Sequence, residues 1–574
     1  MKKRPPASRQ PGPGEVQALF ELYRSGRVSQ AEARVRALLY TYRNAAVLYN
    51  VLGICQESQG RDHEAAESYR RALALDPRAA DLHVNLGAVL ARLGDANAAA
   101  ASYRKALRIR PDFAAAHFNL GTLLQAQGQL QEAAHHYQQA IKHEPGLFAA
   151  YGNLGTLLQQ RGQLEEAQRC YRKALALRSD ARGHFNLATA LHDQGEHEEA
   201  IREFRTAVAL EPQFAEAWNG LGETLRDHGE MEEAIRCYRQ ALAAQPTHGR
   251  AMYNLGEYHY LAGELDAAIP YFARSDFADS QDRALQCLYK TGRFDQFRQG
   301  FERLTAGRRH ASILLGTLST HYATNFRQAN PYQFCPEPMD HVLHARIDAL
   351  AAPDSALRAE LLKDIETLAI AERRQGRLYY GIQSAGNLLK RPEPSFQKLA
   401  TLIREQVRGY QHRYAGSSCE MLAGFPRELE FASSWYLRMK KGGHLTSHIH
   451  EEGWISGCVY LQLPDPKDAH EGSFEYSTDG DDYPRLHDDF PRRIADLRVG
   501  DIVIIPSSLF HRTIPFHSEQ ERVCVAFDIK PAPLLPAVPD ALPAHMSLAW
   551  MVNLTVATHA QLLMSLAEYV EMIA

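Results

Sequence analysis

Apolar and polar positions in the first half of the chain recur with a period of about 34 residues. Leu52-Gly53, Leu86-Gly87, Leu120-Gly121, Leu154-Gly155, Leu187-Ala188, Leu221-Gly222 and Leu255-Gly256 mark successive units, spaced by 34 residues with one interval of 33. Small residues keep the same phase at Ala65, Ala99, Ala133, Ala167, Ala200, Ala234 and Ala268, and aromatics follow at Tyr69, Tyr103, Tyr137, Tyr171, Phe204, Tyr238 and Phe272. Each unit predicts two amphipathic helices joined by a glycine turn, as at Gln59-Gly60 and Leu93-Gly94. The Gly and Ala positions let paired helices approach closely, and the aromatic is expected to fill the groove against the next unit. Proline ends the second helix at Pro77, Pro111, Pro145, Pro212 and Pro246, because it lacks the amide hydrogen and clashes with the preceding turn. No unit can bury its apolar face alone, so neighbours must stack. The short interval falls where Ser179-Asp180 replaces proline, which predicts a local irregularity. Glu15 to Arg43 reads as a partial unit and Asp282 to Leu304 as a degenerate one.

From about residue 306 the period is lost. Helical stretches continue, broken at Pro331, Pro336, Pro338, Pro353 and Pro392, with long helical runs over His344 to Arg373. Gln383 to Leu388 reads as a strand, and Ser395 to Tyr414 as an amphipathic helix that packs on a sheet. After about 417 short strands and turns take over: Trp435–Met439, a turn at Lys440–Gly443, then His444–His450, Trp454–Leu463, Gly472–Ser477, Asp501–Pro506 and Arg522–Lys530. Short strands at such spacing predict a β-sandwich or barrel, with a jelly roll as the form that brings distant strand ends together. The expected organisation is a disordered tail over 1–14, a helical superhelix over 15–305, and a connector with the start of the catalytic domain over 306–416. A β domain follows over 417–535 and a C-terminal extension over 536–574. The extension begins with repeated prolines. It ends in an amphipathic helix near Ala560–Ile573 that either caps the β domain or joins two copies as a homodimer.

Composition narrows the partners. The chain has 574 residues, more than one core usually organises. Its 64 basic and 68 acidic residues nearly balance, which argues against a nucleic-acid surface. No apolar run is long enough to span a bilayer, so no membrane partner is expected. The basic start, Met1-Lys2-Lys3-Arg4, is followed by no apolar segment and does not read as a secretory signal. The eight cysteines form no CxxC pair, and the simplest setting is a reducing, cytoplasmic one. Cys335 reads as packing rather than as a nucleophile.

The candidate chemistry lies in the β region. His448 and His450 sit one residue apart at a strand end, and His511 follows the apolar run Gly500-Asp501-Ile502-Val503-Ile504-Ile505-Pro506. Such histidines can converge on one metal ion. Arg522, eleven residues beyond His511, falls on the strand expected to run beside it, where a guanidinium can grip a carboxylate. The competing reading makes Arg522 a surface residue paired with Glu519 or Glu521.

Two resemblances give these patterns a function. The repeats match the tetratricopeptide repeat. Arrays that resemble this one carry an asparagine just before the Leu-Gly pair, facing the concave surface, where its donor and acceptor hold an extended peptide backbone. Asn85, Asn119, Asn153, Asn186 and Asn254 occupy that position, which implies a polypeptide partner. The ladder has breaks, since Asn50 and Asn219 stand one residue earlier. The region from about 383 to 530 resembles the 2-oxoglutarate- and iron(II)-dependent oxygenases of the prolyl-hydroxylase-like superfamily that are fused to such arrays. It shares Ser434-Trp435, Gly443, the His-x-His at 448 and 450, Ser456-Gly457, Gly472, the Gly-Asp-x-Val-x-x-Pro lead to His511, and Arg522-Val523.

The resemblance implies a double-stranded β-helix domain with iron(II) and 2-oxoglutarate as cofactors. It implies oxidation of the cosubstrate to succinate coupled to hydroxylation of a polypeptide side chain. The usual ligand set is two histidines and a carboxylate. This chain departs from it, and the resemblance points to His448, His450 and His511. The alternative pairs His450 with Glu452. Tyr436 and Ser456 are candidates to help hold the cosubstrate alongside Arg522. Two other readings stay open: a non-catalytic or sensory repeat scaffold with a degenerate oxygenase domain, and a metal-dependent enzyme that does not use 2-oxoglutarate.

Overall fold

A computed structural model describes residues 10–306, 311–373, 376–425 and 429–531. Most of the expected tail and the whole C-terminal extension, including the expected helix at 560–573, lie outside the described residues. The described residues pack as two units, one ending at Pro246 and one beginning at Thr247.

The first unit is helical throughout. The partial repeat forms Pro13–Arg24 and Val28–Thr41, and each following unit packs a helix pair such as Ala46–Glu57 with Asp62–Leu75. Glycine at the Leu-Gly position has a steric cause. A Cβ on Gly53 would lie 2.6 Å from the Tyr69 ring, and one on Gly87 would lie 2.6 Å from Tyr103. The aromatic therefore covers the glycine of its own unit, and it also reaches the next unit, as Phe204 does at Gly220 and Tyr137 at Asn153. At the 33-residue interval, Asp180 substitutes for the missing proline. Its carboxylate accepts the Gly183 amide at 2.8 Å and caps Ala181–Gln194.

The expected row of open asparagines is not presented as an open ladder. Asn85 and Asn119 are buried, and the Asn85 amide donates to Asn50 at 3.1 Å. Asn153 is half-buried and donates to the Tyr137 hydroxyl at 3.2 Å, while Asn186 is half-buried. Asn254, in the second unit, is buried as well. The Asn85 and Asn153 bonds both run to the preceding repeat, so these two residues tie neighbouring repeats together.

The second unit opens with helices Gly249–Leu261, Leu265–Arg274, Ser280–Lys290, Phe294–Thr305 and Ile313–Asn325. Ten strands follow: β1 (Leu343–Arg346), β2 (Glu372–Arg373), β3 (Leu378–Ser384), β4 (Leu429–Leu445), β5 (Ile455–Gln462), β6 (Phe474–Ser477), β7 (Arg492–Ala495), β8 (Asp501–Pro506), β9 (Phe510–Thr513) and β10 (Arg522–Pro531). They form a seven-stranded sheet in the order β1-β8-β5-β10-β4-β3-β2 and a three-stranded sheet β7-β6-β9, all antiparallel, in a jelly roll. Three expectations change here. Residues 343–346 are a strand rather than helix. Lys440–Gly443 continue within β4, where Gly442 takes φ 79° and absorbs a bend. His444–His450 is not a strand of its own, because β4 ends at Leu445.

Side chains alternate across the large sheet. Ile502, Ile504, Val525 and Phe527 face an outer core shared with helix Pro394–Arg413 through Leu399, Ile403 and Val407. Val503, Ile505, Cys524, Ala526 and Leu437 face the interior of the roll, opposite Phe474 and Tyr476 of the smaller sheet. The site is built on this interior face.

Candidate metal centre

The three histidines reach one point through backbone pairing. His448 and His511 exchange hydrogen bonds as an isolated antiparallel bridge, with His448 N donating to His511 O at 3.1 Å and His511 N to His448 O at 3.0 Å. His450, two residues on, presents its side chain to the same face and anchors its amide on Ser507 O at 3.3 Å. The ring centroids lie 4.4 to 5.1 Å apart, and one donor nitrogen from each residue lies within 4.8 Å of the others.

Hydrogen bonding fixes which nitrogen each ring presents. Nδ1 of His448 donates to Thr446 O at 2.7 Å, Nδ1 of His511 to Leu509 O at 3.3 Å, and Nδ1 of His450 to Asp528 Oδ1 at 2.6 Å. All three acceptors are oxygens with no proton to give, so the proton belongs on Nδ1 and Nε2 keeps its lone pair. Nε2 of His448 and Nε2 of His450 then face each other at 3.2 Å with no proton between them. Two lone pairs so placed repel, and a cation among them removes the repulsion. Burial, with the neighbouring His450 adding to it, pushes His448 down to about 3, and burial pushes His511 well below its ordinary range. Both rings therefore stay neutral near pH 7, the form that ligates a metal. A neutral three-imidazole set suits a first-row divalent ion.

Asp528 was not among the expected site residues. It is fully buried on β10, where it accepts from His450, from Ser456 Oγ at 2.7 Å and from Ser433 Oγ at 2.7 Å. Burial would raise this carboxyl, but the His450 interaction and the three hydrogen bonds outweigh it and hold the group below its usual range. A carboxylate that orients a metal-ligating histidine through Nδ1 is a recurrent way of fixing ring position and basicity. Parity could have revealed it, since Arg522, Cys524, Ala526 and Asp528 alternate onto one face. Glu452, the alternative ligand, is exposed and does not join the cluster.

Arg522 is buried in the same inner cavity as the three histidines. Its Nε donates to Gly472 O at 3.1 Å, Nη1 lies 3.2 Å from Cys524 Sγ, and the guanidinium sits 5.1 Å from the Tyr460 ring centroid. No carboxylate pairs with it among the described residues. Glu519 is taken by Lys441 at 2.7 Å and Glu521 by Arg438 at 2.8 Å, so the surface-pair reading of Arg522 does not hold. The Tyr460 hydroxyl, in the same cavity, is buried with the Cys458 thiol as its polar neighbour. A buried cation with no carboxylate partner, beside a hydroxyl held only by a thiol, is a ready receptor for an anion. Ser456 reaches the site, lining this cavity and bonding Asp528. Tyr436 does not. It sits on the outer face of β4, and its hydroxyl donates to Glu372 at 2.9 Å.

His448, His450 and Trp435 also line a second, outer cavity of about 470 Å³. Tyr260, Arg283 and Gln286 from the helices wall it on one side, and Arg377, Glu451 and Asp481 on another. Arg283 pairs with Glu451 at 2.5 Å, and Asp481 with Arg377 at 2.8 Å and Lys290 at 3.0 Å. The histidines thus border an anion-receptive inner pocket and a polar outer chamber.

A family model described as "Putative 2OG-Fe(II) oxygenase" matches residues 433–528, which carry every residue of the cluster. Tetratricopeptide-repeat models match 58–94, 90–128, 114–147, 146–211, 193–235 and 219–283. No curated protein matches the chain. Similar solved structures include the crystal structure of YrrB, described as a TPR protein with an unusual peptide-binding site. It is 24% identical, covering 33% of this chain and 98% of that one with a TM-score of 0.31. Pseudomonas aeruginosa pilF is 22% identical, covering 38% and 97% with a TM-score of 0.34. MamA 41-end from Desulfovibrio magneticus RS-1 is 20% identical, covering 29% and 96% with a TM-score of 0.28. One chain thus joins tetratricopeptide repeats, matched over 58–283, to a jelly roll whose residues 433–528 match the "Putative 2OG-Fe(II) oxygenase" model.

Proposed function

We propose that this chain is a 2-oxoglutarate- and iron(II)-dependent oxygenase that hydroxylates a side chain of a polypeptide recruited by its repeats. One observation carries the reading: three Nε2 lone pairs meet beside a buried, unpaired arginine in one cavity. His448, His450 and His511 would hold iron(II). With 2-oxoglutarate, the metal supplies activation of dioxygen, coupling oxidation of the cosubstrate to succinate and carbon dioxide with hydroxylation of a C–H bond. Arg522 takes the cosubstrate's distal carboxylate, and the Tyr460 hydroxyl donates to the same group. Asp528 holds the His450 ring in position, with Ser433 and Ser456 completing its hydrogen bonds. Trp435 and Phe474 keep water from the rings. The outer chamber receives the substrate side chain, and its charged walls favour a polar one. A reducing, cytoplasmic setting suits such a site. Among the described residues no helix is long and apolar enough to cross a membrane.

The test is succinate formation that requires both iron(II) and 2-oxoglutarate and disappears in His511→Ala. Turnover that survives this change refutes the ligand set. The lack of a carboxylate among the three clustered residues favours one alternative, a sensory scaffold without turnover. Protein that binds iron and 2-oxoglutarate yet yields no succinate with any partner would support it.

A further inference from the structure

A second group of donor side chains converges in the connector, away from the histidine cluster. Cys335 lies in the loop after Ile313–Asn325, His341 ends the short 3-10 turn Pro338–His341, and Cys419 precedes the helical turn Glu420–Ala423. All three are buried, and one donor atom from each lies within 4.8 Å of the others. Backbone bonds hold the two segments together, with Glu420 N donating to Gln333 O at 2.9 Å and Met421 N to Phe334 O at 2.9 Å. The Tyr410 hydroxyl donates to His341 O at 2.8 Å and fixes the third donor's backbone.

The side chains are presented as a ligand set would be. His341 Nδ1 donates to Glu337 O at 2.8 Å, so its proton is committed there and Nε2 keeps a lone pair. The Ser417 hydroxyl lies 3.0 Å from that Nε2 and accepts the Cys419 amide at 3.1 Å. The two thiols interact. Their mutual hydrogen bond raises Cys335 well above its ordinary value and lowers Cys419, while the Cys419 thiol also reaches Phe334 O at 3.0 Å.

We propose that Cys335, His341 and Cys419 bind one zinc(II) ion, as a second metal site chemically distinct from the iron site. Ligand type supports the division. Thiolate with imidazole is a preferred zinc set, whereas an all-imidazole set suits an ion that must stay open to oxygen donors. Charge supports it too. Two thiolates neutralise a divalent ion, so the filled cluster carries no net charge and can remain buried. Three neutral imidazoles leave the other ion its full charge. On binding, each thiol gives its proton to solvent, and two Zn–S bonds and one Zn–N bond form. Ser417 Oγ, 3.0 Å from His341 Nε2, would turn aside or join as a fourth donor. The zinc would staple the loop at 333–341 to the segment at 417–421, just ahead of β4.

The experiment is metal analysis of the full chain, purified without chelator or nickel resin. About one zinc per chain is expected, retained in His511→Ala and reduced at least about tenfold in Cys335→Ser and Cys419→Ser. Iron should show the reverse dependence. If the cysteine variants fail to fold, wild-type protein loaded with cobalt(II) gives the second reading: thiolate-to-cobalt charge-transfer absorption, abolished by a mercurial that also releases one zinc from the native protein. Zinc below about a tenth of an equivalent, zinc unaffected by both serine substitutions, or mass spectrometry showing a Cys335–Cys419 disulfide in freshly purified protein would overturn the proposal.

Discussion

Replacing Asp528 with Asn isolates what the buried carboxylate contributes. The exchange keeps the shape. The amide oxygen can still face His450 and Ser456, which bond Oδ1 at 2.6 and 2.7 Å, and the new NH2 can donate to Ser433 Oγ, which bonds Oδ2 at 2.7 Å. What disappears is a full negative charge at the end of a charge-assisted hydrogen bond. Such a bond is worth about 1.5–3 kcal/mol. If that energy is realised in the basicity and orientation of His450, iron(II) affinity falls by about 10- to 100-fold, the range typical for losing such a supporting carboxylate. The assay is anaerobic titration of iron(II) into metal-free protein, followed by succinate formation across an iron series. Because Asp528 acts through His450, saturating iron should restore most of the turnover, whereas His450→Ala should not recover. A thermal midpoint close to wild type would show that the fold is intact. Iron affinity within about twofold of wild type, in a folded D528N protein, would refute the orienting role.

Four further outcomes follow from the same geometry. Arg522→Leu should raise the KM for 2-oxoglutarate by about 100-fold or more while iron still binds, because the change removes the cation that pairs the cosubstrate's carboxylate; an unchanged KM would favour an enzyme that uses no 2-oxoglutarate. Tyr460→Phe should raise the same KM by about tenfold, the loss of one hydrogen bond to a charged group. Arg283→Ala breaks the pair with Glu451 at the outer chamber, so the KM for 2-oxoglutarate should stay within about twofold and iron affinity should fall by less than about tenfold. In the repeats, His136 meets His117 Nδ1 to Nδ1 at 2.9 Å and is pushed down to about 4 by burial and by the neighbouring His117. The unfolded chain therefore binds more protons than the folded one between about 4 and 6.5, stability falls as pH drops through that window, and His136→Asn should flatten the difference in thermal midpoint between about pH 7 and pH 5.

The repeats were legible because a single steric fact recurs in all but one of the marked units: a glycine under a ring, as at Gly53 with Tyr69 and Gly222 with Tyr238. β8 was legible because it is buried on both faces and reads as an unbroken apolar run. β1, β7 and β9 were not. Each holds four residues, and only partners far along the chain make them strands. The histidines could be named from spacing, but the face of their neighbours could not. In the register, Arg522 lies opposite Met439, Cys524 opposite Leu437, Ala526 opposite Trp435 and Asp528 opposite Ser433, so that set faces inward. Tyr436 lies opposite Val525 and faces out. The same parity that removes Tyr436 from the site supplies Asp528, but it becomes readable only once the inner side of one strand is known. The burial of the asparagine row was not legible for a related reason. Sequence phase places each amide on a helix face but does not say how closely the next helix covers it.

A metal held by His448, His450 and His511 alone would lack a carboxylate ligand. In a two-histidine, one-carboxylate set the protein gives the ion one negative charge, whereas three neutral imidazoles give it none. Here a carboxylate stands one hydrogen bond further out, at Asp528, where it would polarise His450 without touching a bound ion. In the proposed enzyme the inner cavity would then hold a divalent ion and the Arg522 cation, both short of counter-charge. Like charges confined in a low-dielectric pocket repel, so each should weaken the other until a dianion enters. 2-Oxoglutarate carries one carboxylate for each. Iron(II) and 2-oxoglutarate should consequently bind with positive coupling, each tightening the other by the same factor. That coupling should shrink in R522L, where the ion alone awaits the anion. Equal iron affinity with and without 2-oxoglutarate would show that the outward displacement of the carboxylate leaves no charge for the cosubstrate to satisfy.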